Sequence, residues 1–166
     1  MAFTSSIQDF RIRKAEKKDA GLILDFIKAL AEYEKMSDLV SAKVEDIEKH
    51  LFSGTPVAEV LLGEYKGKAV GFALYFYNFS TFLGKPGIYL EDLFVLESER
   101  GKGYGKEILS SLAKIAVEKD CGRLEWCVLD WNTPSIEFYK SIGAVIMKEW
   151  LLNRMTGEAL YQLAGK

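Results

Sequence analysis

The sequence is poor in the residue types that build metal and nucleophile sites. In 166 residues it has one histidine, His50, and two cysteines, Cys121 and Cys127. A zinc site of Cys and His ligands needs four residues at set spacings, so we expect no metal ion. A Ser-His-Asp or Cys-His hydrolase would depend on His50, which follows Glu48 and Lys49 and suits an ordinary helix surface. The sequence therefore disfavours both classes of enzyme.

An excess of positive charge is missing, and so are long apolar runs. The 22 Lys and Arg residues face 24 Asp and Glu residues, which gives a net charge of −2. Proteins that grip a nucleic-acid backbone carry a basic excess, so we expect no nucleic-acid partner. No apolar run approaches the roughly 20 residues of a membrane span, and residues 1–9 lack the pattern of a signal peptide. Together with the low cysteine content, this predicts a cytoplasmic protein without a membrane partner.

The rest of the composition is that of a folded chain, with 49% hydrophobic and 28% charged residues. The length predicts one domain over residues 1–166. Periods of two and of 3.6 residues predict the element order β-α-α-β-β-β-α-β-α-β-β, a mixed α/β fold. The predicted strands cover residues 10–13, 57–65, 69–77, 88–95, 124–129, 144–152 and 159–163.

Glycines alternate at the start of the third predicted helix, at Gly101, Gly103 and Gly105, between Arg100 and Lys106. Glycine lets backbone N–H groups approach an anion closely, and a helix N-terminus adds partial positive charge. The spacing is not that of a P-loop, and the third glycine position of a dinucleotide fingerprint falls on Lys106. The segment therefore predicts a phosphate-binding loop of another kind, against the simpler alternative of a flexible turn.

Two further segments each allow two interpretations. Glu91 and Asp92 are adjacent acids in a predicted strand, where alternation directs them to opposite faces. A carboxylate among apolar neighbours is costly to bury unless it is used or paired, although a strand edge with two solvated acids explains the pattern equally well. Asn132 suits the cap of a helix that has Pro134 in its first turn, and Tyr139 has the spacing of a core residue.

Together, these segments resemble the GNAT superfamily of N-acetyltransferases. Residues 100–105 match its R-x-x-G-x-G loop, and residues 132–139 match its second cofactor segment, an Asn followed by a helix with a Tyr. Residues 89–92 are similar to the branch that acetylates spermidine, spermine, diamines and thialysine. The resemblance covers residues 10–166. It implies a single GNAT domain with a central, mostly antiparallel sheet that is splayed after its fourth strand and has helices on both faces.

The resemblance also implies a role for each matched residue, with acetyl-CoA as co-substrate and a small cationic amine as acceptor. Tyr139 would donate a proton to the departing thiolate, and Glu91 would remove one from the ammonium through water. The implied acetyl-CoA contacts are Leu93, Phe94, Val95, Arg100, Gly101, Lys102, Gly103, Tyr104, Gly105, Lys106, Asn132 and Ser135. The implied amine contacts are Glu34, Asp92, Glu149 and Trp150.

The implied reaction needs these residue types. An alkylamine with a pKa near 10.4 arrives as an ammonium, so an acidic wall can bind it and a carboxylate can remove its proton. A backbone N–H can stabilise the oxyanion of the tetrahedral intermediate. Polyamine-type relatives carry an acid where this chain has Ser80 and Thr81, which favours a diamine or a lysine analogue.

Two alternative functions remain open, and the resemblance also implies an oligomeric state. The same fold could acetylate a peptide, protein or antibiotic amine, or the chain could be a non-catalytic acyl-CoA-binding module. Relatives in this branch pair through their C-terminal strands. Because strands 144–152 and 159–163 would leave an exposed edge in a monomer, we expect a homodimer.

Overall fold

The structure, a computed structural model, describes residues 2–3 and 5–166; Met1 and Thr4 of the predicted domain lie outside the described residues. The strands are β1 (Ala2–Phe3), β2 (Phe10–Lys14), β3 (Glu59–Tyr65), β4 (Lys68–Ser80), β5 (Lys85–Val95) and β6 (Leu124–Trp126). The α-helices are α1 (Ala20–Tyr33), α2 (Val44–Phe52), α3 (Tyr104–Glu118), α4 (Thr133–Ser141) and α5 (Gly157–Leu163). They form two compact units, Met1–Cys127 and Val128–Lys166. The single domain stays a prediction.

The described residues form one sheet of six strands in the order of the chain, with the long hairpin of β4 and β5 near one edge. The described pairs from β1 to β5 are antiparallel, and β5 and β6 run parallel. β6 pairs with Ile88, Tyr89 and Leu90, whereas β5 continues to Val95, so the two strands part after Leu90. Because β5 is the fourth strand of the prediction, the splay lies where it was expected, and the mixed α/β fold is confirmed.

Helices α1 and α2 cover one face of the sheet. Ile23 and Phe26 of α1 and Ile47 of α2 are buried against Phe72 and Phe94 of the hairpin formed by β4 and β5. Phe26 stacks on Phe72 with ring centroids 5.4 Å apart. This apolar layer fixes the C-terminal end of α1 relative to β5, because residues of both elements belong to the same core.

Helix α3 packs closely against the opposite face. A Cβ atom at Gly63 of β3 would lie 2.8 Å from Phe10 Cζ and 2.9 Å from Ile108 Cδ1. Only glycine therefore lets the helix approach this strand so closely. At the helix start, Tyr104 stacks on Phe10 with ring centroids 4.3 Å apart. The N-terminus of α3 is thereby anchored to the sheet.

A charged network joins β2, β3 and the start of α1. Arg13 Nη1 donates to Asp19 Oδ2 at 2.7 Å, and Arg13 Nε donates to Glu64 Oε1 at 2.8 Å. Asp19 is 6% exposed. The hydrogen bonds from Arg13 hold the pKa of Asp19 below its ordinary value. The pair stabilises the turn into α1 as long as Asp19 is ionised.

The strand pair predicted at residues 144–152 and 159–163 is wrong. Among the residues that the structure describes, no strand follows Trp126, and α5 occupies the second of these segments. The sequence of α5 is rich in strong helix formers, and Gln162 Nε2 donates to Glu158 Oε1 one turn earlier at 2.9 Å. Residues 144–152 pair with no described strand, and an apolar segment without a hydrogen-bonding neighbour does not form one.

None of the helices within residues 2–3 and 5–166 combines the length and the apolar character needed to cross a membrane.

Candidate functional site

The loop between β5 and α3 has the backbone conformation of an anion-binding turn. Gly101 and Gly103 have φ angles of 78° and 86°, in the left-handed region that favours glycine. Gly103 is the N-cap of α3, and no side chain in the described part of the protein caps it. The helix ladder begins with the Glu107 N–H, which donates to the Gly103 carbonyl at 3.1 Å. The N–H groups of residues 104–106 precede that bond and are available to an anion, as predicted for a phosphate-binding loop.

Two acids beside this loop have protein partners. Lys102 Nζ lies 2.8 Å from Glu99 Oε2, and this hydrogen bond raises the pKa of Lys102. Glu107 accepts hydrogen bonds from Ser6 Oγ at 2.7 Å and from the Ser6 N–H at 3.3 Å, which lower the pKa of Glu107. Lys106 is exposed in the first turn. An anion at the helix start therefore meets less repulsion than two free carboxylates would cause.

Tyr104 was predicted to contact the cofactor, but its ring has a structural role. The side chain is 3% exposed and stacks on Phe10, and its centroid lies 5.5 Å from that of Tyr65. Tyr104 can offer a ligand its backbone N–H, whereas its ring holds the helix start on the sheet.

The side chain of Arg100 turns back from the loop. Its Nε donates to the Val95 carbonyl at 3.1 Å. Its guanidinium carbon lies 4.1 Å from the ring centroid of Tyr33 and 5.4 Å from that of Phe94. A cofactor contact of Arg100 stays a prediction, because these contacts direct the guanidinium to α1 and β5.

The splay opens one edge of β5 over residues 91–95. Beyond this stretch, the Leu96 N–H donates to the Val70 carbonyl at 2.9 Å, which continues the pairing with β4. Successive residues of a strand direct their backbone groups to opposite edges, so those of Val95 and Leu93 point to the open edge. This edge can hold an extended ligand by strand-like hydrogen bonds.

Phe94 differs from its two neighbours. The same alternation directs its backbone groups to β4, where it pairs with Phe72. Its ring is 6% exposed and lies in the core beneath Arg100. We therefore assign Phe94 a role through its ring, while Leu93 and Val95 provide the open edge.

Glu91 lies in a β-bulge at the point where the strands part. Leu74 pairs with Asp92, and the next residue, Tyr75, pairs with Leu90, so Glu91 is skipped. The extra residue of a bulge leaves the regular alternation and re-aims its side chain, and such bulges are frequent beside active sites. Glu91 is exposed. The bulge takes Glu91 out of the regular pairing of β4 and β5, and Asp92 stays in it.

Asp92 and Glu34 form an acidic pair beside the bulge. Asp92 shares a sheet face with its partner Leu74, which packs on the core of α1 and α2. Glu34 is the C-cap of α1. Burial raises the pKa of Asp92 to about 6, with further contributions from the charges of Glu91 and Glu34. Burial also raises the pKa of Glu34. Two poorly solvated carboxylates whose charges interact can together bind a cation.

Sequence reasoning missed Tyr89 and Cys127 as neighbours of this site. The Tyr89 hydroxyl lies 3.1 Å from Cys127 Sγ, and this contact and burial raise the pKa of Tyr89, with a contribution from Glu91. Cys127 follows β6, so its place depends on the parallel register of β6 on β5. No local sequence signal reports such a register.

The remaining predicted residues belong to the unit Val128–Lys166. Asn132 is 7% exposed, and its Oδ1 accepts the Ser135 N–H at 3.4 Å, so it caps α4 as the simpler interpretation predicted. Tyr139 is half-buried on α4, with its ring centroid 5.3 Å from that of Phe138. The cofactor contacts of Asn132 and Ser135 and the catalytic role of Tyr139 stay predictions.

Glu149 and Trp150 lie in the segment between α4 and α5, which has no regular structure. Both are exposed, and Trp150 retains 70% of its accessible surface. Nothing within this unit gives either side chain the setting of an amine site, so their roles also stay predictions.

Within Met1–Cys127, an open strand edge, an anion-binding helix start and an acidic pair lie along β5 and its continuation. A family model described as the Acetyltransferase (GNAT) family matches residues 25–144. The chain belongs to this family. GNAT acetyltransferases use acetyl-CoA as co-substrate. An extended ligand with a phosphate-rich end suits the open strand edge and the anion-binding helix start. The protein is therefore an acetyltransferase.

Similar proteins support the assignment to the GNAT family. A thialysine N-epsilon-acetyltransferase of Bos taurus is 42% identical over 166 residues, covering 93% of this chain and 97% of that protein. An L-ornithine N5-acetyltransferase of Arabidopsis thaliana is 42% identical over 121 residues, covering 73% of this chain and 50% of that protein. The solved structure of an integron cassette protein from the mobile metagenome of V. cholerae has a TM-score of 0.81 at 31% identity. That match covers 96% of this chain and 100% of the other.

Proposed function

We propose that this GNAT enzyme transfers the acetyl group of acetyl-CoA directly to a primary amine of a small cationic substrate, such as a diamine, a polyamine or a lysine analogue. The observation that carries this proposal is the acidic pair of Asp92 and Glu34 beside the bulged Glu91. The relatives named for thialysine and L-ornithine support it, because both names specify small molecules with amino groups.

The acidic pair suits an ammonium for electrostatic reasons. Burial makes the charged forms of Asp92 and Glu34 costly, and the charges of Glu91 and Glu34 raise the pKa of Asp92 further. A cation removes both costs at once, so the pair favours a charged amine over a neutral analogue. The C-terminal end of α1, where Glu34 is the C-cap, adds partial negative charge. The site therefore selects for positive charge before any chemistry takes place.

Acetyl-CoA would be held by Leu93 and Val95 at the open edge and by the loop from Gly101 to Lys106. It supplies the thioester that acylates the amine. The Leu93 N–H, which points to the open edge, can donate to an oxyanion and so stabilise the developing negative charge. Glu91 accepts a proton from the bound ammonium through water, because an alkylamine with a pKa near 10.4 is not nucleophilic until it is deprotonated. Tyr139 donates a proton to the leaving thiolate.

The test is a CoA-release assay with putrescine, spermidine, spermine, lysine, thialysine and an aminoglycoside as acceptors. We expect turnover with the small cationic amines and none with an uncharged analogue of equal length. Asp92→Asn should lower kcat/KM for those amines, while Asp25→Asn, which removes an exposed acid of α1, should leave it unchanged. Turnover confined to the aminoglycoside or to peptides would assign the other acceptor class, and no turnover with acetyl-CoA bound would indicate a binding module.

We further propose that two copies of this chain associate through residues 144–163. This region exposes large apolar side chains, among them Val145 at 79%, Leu151 at 82% and Leu163 at 75%. Residues 144–152 are rich in apolar residues and pair with no described strand, so a second copy is the partner that would satisfy their backbone groups. Light scattering at micromolar concentration should give twice the mass of the chain; the mass of one chain would refute the proposal.

We also propose a cytoplasmic location. Cys121 and Cys127 are free thiols, which suits a reducing compartment. Fractionation of cells that express the protein should recover it with cytoplasmic markers, and recovery in a secreted fraction would contradict the proposal.

A further inference from the structure

Arg100 joins the anion-binding loop to two elements that carry the acidic pair. It is the residue directly before Gly101, so its backbone belongs to the loop. Its Nε donates to the Val95 carbonyl at 3.1 Å, and its guanidinium lies over the rings of Tyr33 and Phe94 at 4.1 Å and 5.4 Å. One side chain thus contacts the loop end of β5 and the last residue of α1.

The two rings are close to the two acids along the chain. Tyr33 ends α1, and Glu34 follows it as the C-cap. Phe94 comes two residues after Asp92 and lies on the same face of β5. A guanidinium that contacts both rings therefore links the backbone segments that carry Glu34 and Asp92, and with them the separation of the two carboxylates. A change in that separation alters the field that an ammonium meets, because the energy of two charges depends inversely on their distance.

We propose that Arg100 is a positioning residue that couples occupancy of the loop by CoA to the affinity of the acidic pair for the amine. An anion held by the N–H groups of residues 104–106 fixes the loop backbone, and with it the guanidinium. The rings and the two carboxylates are then held at one spacing, so an amine binds more tightly when CoA is bound. Such coupling is reciprocal, and the amine strengthens CoA binding by the same factor. The inference rests on the proposed function in one respect, that the acidic pair binds the amine.

The chemistry of the side chain makes arginine necessary for this role. A guanidinium is planar, so it can stack on an aromatic ring while its Nε–H donates to a carbonyl. The ammonium of a lysine would keep the positive charge beside the loop but cannot make both contacts in that geometry. Arg100→Lys therefore separates the positioning role from a simple attraction between positive charge and phosphate.

The experiment measures the binding of putrescine and of thialysine by calorimetry, to the free enzyme and to the enzyme saturated with CoA. We expect wild-type protein to bind the amine about tenfold more tightly in the CoA complex. Arg100→Lys and Tyr33→Leu should each reduce this ratio to near one, and the double variant should be no worse than either alone. Tyr33→Phe, which keeps the ring, and Arg11→Lys, which changes an exposed arginine of β2, should retain the wild-type ratio.

Each other outcome has a definite meaning. If the amines bind with equal affinity in both states of the wild-type protein, the positioning role is wrong while the proposed function stands. If Arg100→Lys weakens CoA binding alone and Tyr33→Leu changes nothing, Arg100 acts on phosphate and the inference is also wrong. If neither amine binds in either state, the proposed function fails, and the inference fails with it. Thermal unfolding of each variant distinguishes lost coupling from lost fold.

Discussion

Replacing Asp92 with asparagine should stabilise the protein and impair it as an enzyme. Asp92 is half-buried beside Glu34 and Glu91, and burial and both charges raise its pKa to about 6 from an ordinary 3.8. An ionised carboxylate that is half-buried beside like charges costs stability. The folded state disfavours the charged form of Asp92, although this is the form that binds an ammonium. Asp92→Asn keeps the size of the side chain and removes the charge.

The sign and size of the stability effect follow from the raised pKa. A folded-state pKa above the unfolded value gives stability that is fully present below about pH 3.8 and is lost as the pH rises through about 6. A shift of about two units corresponds to roughly 3 kcal/mol. We expect about 1–2 kcal/mol of gain in Asp92→Asn at pH 8, because the amide must still be accommodated beside Glu34. For a chain of this size that gain raises the Tm by about 2–8 °C.

Thermal unfolding at pH 8 and pH 4 measures the effect, with Asp25→Asn as the control. The gain should be present at pH 8 and nearly absent at pH 4, where Asp92 of the wild-type protein is already protonated. In kinetic assays at pH 8, kcat/KM for the amine should fall about 10- to 100-fold, the loss of one hydrogen bond to a charged group. For wild-type enzyme the KM of the amine should rise as the pH falls below 6.

Two results would refute this reasoning. A lower Tm of Asp92→Asn at pH 8 would mean that the ionised carboxylate stabilises the fold, so it would have a partner that the acidic pair does not explain. An unchanged KM together with a higher Tm would mean that Asp92 is strained by its surroundings but does not bind the amine.

Three further predictions concern the cofactor loop, the leaving group and the network at α1. Gly105→Ala places a methyl group at the helix start, 3.7 Å from Val95 Cγ2, so calorimetry should show weaker CoA binding at unchanged stability. As a control, Gly21→Ala adds a methyl group in open space on α1 and should leave CoA affinity unchanged. Tyr139→Phe should lower turnover about 100-fold with little change in acetyl-CoA affinity, and full activity would leave solvent as the proton source. Asp19→Ala should lower the free energy of unfolding by about 2 kcal/mol at pH 7, because it leaves the half-buried Arg13 without its main partner. That deficit should shrink as the pH falls below the ordinary pKa of aspartate, near 3.8, and urea unfolding at several pH values checks it.

The cofactor loop could be predicted from the sequence because its signal is local. Gly101 and Gly103 have positive φ angles, and only glycine adopts these at no steric cost, so their spacing predicts the turn before α3. The hairpin of β3 and β4 is equally local, since Gly67 in the turn between them separates two apolar runs. In both cases the residues that determine the structure are neighbours along the chain.

The C-terminal segments could not be predicted in the same way. A segment rich in apolar residues, such as 144–152, forms a strand only beside a partner, and its sequence does not say whether this chain provides one. At residues 157–163 the strong helix formers outweigh the apolar character that predicted a strand, and α5 results. A second copy of the chain could supply the missing neighbour. The mass of the particle in solution therefore tests two things, whether the chain forms a dimer and whether residues 144–152 have a partner beside which a strand can form.

The functional roles in the site depend on contacts that join distant parts of the chain. The sequence motif places Arg100 at the head of a phosphate loop, but the partners of its guanidinium, Tyr33 and Phe94, come from α1 and β5. Likewise, alternation assigns Glu91 and Asp92 to opposite faces, and the bulge that removes Glu91 from the ladder arises from the register of β4 on β5. Both features follow from how separate elements pack. A local sequence pattern therefore identifies the residues of the site. Only the packing shows which of them bind the substrates, which take part in the reaction and which position the others.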